Sequence, residues 1–154
     1  MNVALWMLQG VLAIGFMVTG MTKLFMPIES IAAGMTWVET VPEWLIRFVG
    51  IAEIAGAVGL IVPAATRVKP ILTPIAAGAL ALVIAMATGL HIARGEYPNI
   101  GVTVVLMILL VGLMWGRLRV EPIKPRARTH RGRARESLGE DVDDERTDKK
   151  AYAH

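Results

Sequence analysis

Four stretches of the chain are apolar with almost no interruption: 3–22, 44–62, 71–90 and 98–115. Polar residues gather between them, so the alternation of a half-buried strand and the polar outer face of a soluble helix are both missing. About 20 residues rising 1.5 Å each cross a hydrocarbon core of roughly 30 Å, so each stretch predicts a membrane-spanning helix. The first, Val3 to Thr22, is broken only by Gln9, Thr19 and Thr22. It has neither a basic leader nor a small-residue cleavage pattern, and is expected to be retained, not removed as a signal peptide. The second is entered after Pro42 and closed by Pro63; the third is entered through Pro70, with Pro74 in its first turn, where a missing N–H is tolerated. The predicted fold is all-α: a polytopic membrane protein with a four-helix up-down bundle in residues 1–116.

Phe25 to Glu43 is long for a connection. After Pro27, the apolar residues Ile28, Ile31, Ala32, Met35 and Val38 recur at helical spacing, which predicts a short interfacial helix. It would cover the bundle end or line the mouth of a pocket.

A 55% hydrophobic content and a mean hydropathy of +0.55 agree with a membrane class. The absence of cysteine removes disulfides, thiolate metal sites and thiol redox chemistry. A single histidine in the spans excludes bis-histidine haem ligation, and no HExxH, GxGxxG or Walker pattern occurs. No metal site is expected.

Up to Gly116 five basic and five acidic residues balance; from Arg117 on there are eleven basic and eight acidic. The composition therefore breaks between Gly116 and Arg117, and residues 117–154 form a charged tail with too few apolar positions to fold alone, predicted to be disordered. Arg67 and Lys69 between the second and third spans lie on the same side as the basic half of the tail. The positive-inside rule makes that side cytoplasmic, with both termini inside a plasma (inner) membrane. Trp6 and Trp115 near the inner interface, and Trp37, Trp44 and Tyr97 near the outer one, fit an aromatic belt. The basic half of the tail is expected to meet anionic lipid head groups. It lacks the interleaved aromatics of a nucleic-acid surface, so no nucleic-acid partner is expected.

Glu53 stands inside the second span, in RFVGIAEIAGAVGLIVP. A carboxylate facing lipid at that depth costs about 2.5–3.5 kcal/mol on insertion scales, so it must face the bundle interior, be protonated or have a cationic partner. Gly50, Gly56 and Ala57 on its face would admit a close helix or a ligand. Lys23 ends the first span, Arg47 lies six residues before Glu53, and His91 ends the third. All fall in the outer half of the membrane. One reading is a polar pocket in which Lys23, Arg47 and Glu53 bind a ligand while Glu53 and His91 transfer protons. The other is a buried ion pair that fixes helix register, with Arg47 and Lys23 snorkelling. GxxxG spacing, as in Gly112 to Gly116, fits packing within the bundle or a homo-oligomer.

The segments GMTKLF (20–25), MTWVE (35–39) and the Glu53 helix together resemble the DoxX-like family over about residues 3–116, with Lys23 and Glu53 at the matching positions. The resemblance implies a four-helix membrane bundle. It also brings a family name derived from a quinone-reducing thiosulfate oxidoreductase, and an association of some actinobacterial relatives with superoxide dismutase and a sulfurtransferase in oxidative-stress defence. A subunit of such an assembly, with quinone as cofactor and soluble redox proteins as partners, is the resulting expectation. Two alternatives stand beside it: a proton-coupled small-solute transporter, and a noncatalytic scaffold recruiting partners through its tail.

Overall fold

The computed structural model describes residues 2–125. Four long helices carry the fold: α1 (Asn2–Phe25), α3 (Glu43–Thr66), α4 (Leu72–Arg94) and α5 (Tyr97–Trp115), the last continuing through a π-helical turn at Gly116–Val120. The short helix α2 (Ile28–Ala32) and a 3₁₀ turn at Thr36–Thr40 fill the α1–α3 connection. At 24 residues α1 and α3 are each about 36 Å long, enough to cross a bilayer core.

Each long helix is apolar all round, with no more than a third of its most hydrophobic window buried inside the protein. Val11, Ile14 and Val18 of α1, Phe48 and Ile51 of α3, and Val105 and Ile108 of α5 point outward. Water would not tolerate that many outward aliphatics on every helix, whereas lipid solvates them, so this is a four-helix membrane-spanning bundle. α1 packs chiefly on α3, α3 also on α4, and α4 on α5, so successive membrane-spanning helices are neighbours in space. The shared core is built from Leu12, Phe16, Leu60, Leu80, Leu110 and Leu113.

Small residues set the closest approach. A Cβ at Gly20 of α1 would lie 2.8 Å from the Gly50 carbonyl oxygen, and one at Gly50 would lie 2.9 Å from that of Gly20. α1 and α3 therefore cross backbone against backbone at this level, which only glycine permits. Val38, Ile31 and Ile46 form a second small cluster that seats the α1–α3 connection on the bundle end.

Two boundaries differ from the sequence reading. Pro63 lies inside α3, which runs a further turn to Thr66 and ends at Arg67 in the left-handed region. Proline removes one N–H, but tolerance of that loss inside a packed membrane helix lets the turn continue. Helical structure also passes the composition break at Gly116, and Arg117 is buried at 3% exposure. Its charge is held by partners within the bundle, described below. The remaining expectations for the tail, from residue 126 on, lie outside the described residues.

Candidate functional site

Lys23 and Glu53 meet at the α1–α3 crossing. The Lys23 ammonium donates to both carboxylate oxygens of Glu53, at 2.6 and 2.7 Å, and the Thr19 hydroxyl donates to Oε2 at 3.0 Å. The two side chains are only 8% and 5% exposed. Glu53 thus faces the interior with a cationic partner, and the adjoining Gly20–Gly50 contact brings the two helices near enough for the pair to form.

Arg47, one and a half turns nearer the helix start, joins the same helices differently. Its Nη1 donates to the carbonyl oxygens of Lys23 (2.8 Å), Leu24 (3.1 Å) and Met26 (2.8 Å), while Nε and Nη2 hold Glu43 Oε1 at 3.2 and 2.9 Å. Carbonyls at a helix C-terminus lack intrahelical donors, and the guanidinium supplies them. Arg47 is the C-terminal clasp of α1, bound to backbone instead of to the Glu53 carboxylate.

His91 belongs to a separate cluster at the α4–α5 turn. Gly95, at φ 69°, turns the chain back, and the Glu96 N–H donates to the His91 carbonyl at 3.0 Å. That reversal sends the Glu96 carboxylate toward its own helix end, where it meets His91 Nδ1 at 2.7 Å, Arg94 Nε at 2.6 Å and Asn99 Nδ2 at 3.1 Å. The structure therefore pairs Lys23 with Glu53, sets Arg47 on the Lys23 backbone and Glu43, and gives His91 other company. The sequence reading did not single out Glu96; its place just after a helix-ending glycine was the available signal.

A third polar group spans all four helices at the end that carries the N-terminus. Arg117 Nε donates to Gln9 Oε1 at 3.0 Å and Nη1 to Asn2 Oδ1 at 2.9 Å, with the guanidinium 5.2 Å from the centre of the Trp6 ring. Gln9 in turn donates to the Leu60 carbonyl at 2.5 Å, which also takes the Thr73 hydroxyl at 3.4 Å. Asn2 and Gln9 sit on α1, Leu60 on α3, Thr73 on α4, and Arg117 in the turn closing α5. A lone amide in an otherwise apolar span was the only sign of this in the sequence, because its partner stood among the charges assigned to the tail.

The small residues around Glu53 are occupied by neighbouring helices. The glycines flanking Glu53 on its face of α3 are filled, Gly50 by α1 and Gly56 by Leu80, each within 3 Å of an added Cβ. The small residues admit neighbouring helices there. No group of three or more histidine, cysteine or acidic side chains suited to a metal ion occurs among the described residues.

A family model for the DoxX-like family matches residues 7–113. No curated protein and no solved structure matches.

Proposed function

Since the chain belongs to the DoxX-like family, we propose that it is a noncatalytic subunit of a redox or oxidative-stress-related membrane assembly, a four-helix anchor that presents a basic segment to soluble partners. One contrast carries this reading. At the end bearing the α1–α3 and α4–α5 connections, Lys23, Arg47, His91 and Arg94 all engage carboxylates within the chain. At the opposite end Arg67, Lys69, Arg119 and Lys124 are exposed and make no ion pair among the described residues. Charge left unspent by the fold collects where the basic stretch 126–135 begins, on the side that the positive-inside rule makes cytoplasmic. A surface of one sign draws oppositely charged partners and speeds their encounter.

A second reading keeps the Lys23–Glu53 pair as a ligand site. Lys23 has three N–H groups, two committed to Glu53, and half-buried Thr19 marks an edge of the pair that the glycine contacts leave open. A quinone-type carbonyl would have to approach there.

One complementation experiment separates the two. In cells lacking the protein and challenged with a superoxide generator, the full chain should restore resistance, a chain ending at Pro125 should not, and Lys23→Met/Glu53→Met should. Resistance restored by the truncated chain but lost with the double substitution would overturn the anchor reading and favour the ligand site.

A further inference from the structure

Arg117 Nη2 is the one buried side-chain nitrogen or oxygen among the described residues that has no hydrogen-bond partner. The other edges of the guanidinium are held by neutral groups, the amides of Gln9 and Asn2 and the face of Trp6. Glu121 lies within electrostatic range but makes no hydrogen bond to it. A buried guanidinium with an unmet N–H and no bonded counter-charge is an energetically incomplete arrangement. It is completed by an acceptor bearing negative charge.

The surroundings say which. Asn2, bonded to Nη1, is exposed, and Trp6 is half-buried, so the guanidinium lies one side chain beneath the protein surface. Trp115 and Leu118, on other faces of the same helix end, are exposed apolar side chains, so this level of the bundle meets lipid at the interface. Exposed Arg119 follows on the same turn. Anionic oxygens at the edge of a bilayer are head-group phosphates, and arginine's planar fork matches them.

We propose that Arg117 is a lipid-phosphate site: one anionic phospholipid of the leaflet at the N-terminal end displaces the exposed Asn2 amide from Nη1 and seats its phosphate across Nη1 and Nη2, between the first turn of α1 and the π-helical end of α5. The site is distinct from diffuse attraction by the basic tail, because Trp6 and Gln9 fix the orientation of this one guanidinium. It also does not depend on the anchor function proposed above.

The test is lipid retention by the full chain, read by native mass spectrometry after reconstitution in equal phosphatidylglycerol and phosphatidylcholine. The wild type should retain one phosphatidylglycerol in preference to phosphatidylcholine. Arg117→Lys, which keeps the charge and loses the fork, should reduce retention at least tenfold, while Arg119→Gln/Lys124→Gln should keep it within about twofold. Glu121→Gln removes the competing acid without removing a bond and should raise retention several-fold. It decides the matter if Arg117→Lys does not fold: a gain supports the site and unchanged retention overturns it. Loss of retention in Arg119→Gln/Lys124→Gln but not in Arg117→Lys would overturn the proposal in favour of diffuse attraction. Equal retention of the two lipids by the wild type would overturn it outright, as would stabilisation by inorganic phosphate in zwitterionic bilayers with no lipid retained.

Discussion

Removing one member of the Lys23–Glu53 pair should be far more damaging than removing both. Lys23→Met leaves the Glu53 carboxylate at 5% side-chain exposure with only the Thr19 hydroxyl as donor. Breaking a buried pair in this way costs about 3–5 kcal/mol, because the remaining charge keeps its desolvation penalty without its partner. The lower end applies here, since a chain unfolded within a membrane also finds partners for its polar groups. Glu53→Gln should cost less, about 2 kcal/mol, because the amide oxygen can still accept from the ammonium. Lys23→Met/Glu53→Met removes both charges and fills similar volume, and such replacements are often neutral or stabilising. It should fall within about 1 kcal/mol of the wild type. The assay is reversible unfolding in mixed micelles of increasing denaturing-detergent fraction, followed by tryptophan fluorescence, run as a double-mutant cycle. Additive losses, with the double variant as unstable as the sum of the singles, would refute the reasoning: the two side chains would then not depend on one another.

The same unfolding assay should separate glycines that touch from glycines that do not. Gly50→Ala puts a Cβ 2.9 Å from the Gly20 carbonyl oxygen and should cost about 1–3 kcal/mol by forcing α1 and α3 apart, whereas Gly112→Ala meets nothing within 4 Å and should be neutral or stabilising by up to about 1 kcal/mol. Gln9→Leu strips Arg117 Nε of its acceptor and should cost about 1–3 kcal/mol, a loss absent if the amide merely idled in the span. Arg47→Lys keeps the charge but cannot reproduce a fork that holds three carbonyls and a carboxylate; faster backbone amide exchange at residues 26–35 should result, and an unchanged exchange pattern would remove Arg47 from its role as clasp. Because cysteine is absent, single-cysteine variants report topology cleanly: Glu39→Cys should react with an impermeant thiol reagent from outside and Lys69→Cys only after permeabilisation, and the reverse pattern would invert the orientation.

The spans were legible because lipid imposes one rule along a whole helix. Every lipid-facing position must be apolar, so a run such as 71–90 needs no knowledge of its neighbours to be recognised. Glu53 was legible for the same reason in negative: a carboxylate in that solvent must have a partner, and Lys23 stood at a matching depth. What the one-dimensional pattern hides is pairing between distant segments. Depth can be counted along a helix, but which helices face each other cannot, and that is why His91 was grouped with Glu53 when the chain reversal at Gly95 gives it Glu96. Arg117 illustrates the converse. It opens the run of bases that continues with Arg119 and Lys124, and its neighbours in space are Gln9, Asn2 and Trp6, so a charge count assigned it to the tail while the fold uses it to tie α5 to α1. An amide and a guanidinium that would each be a liability alone in an apolar interior become acceptable as a bonded pair. A solitary polar residue in a membrane span is therefore better read as half of a contact, with the other half sought among the charges just beyond the end of another span.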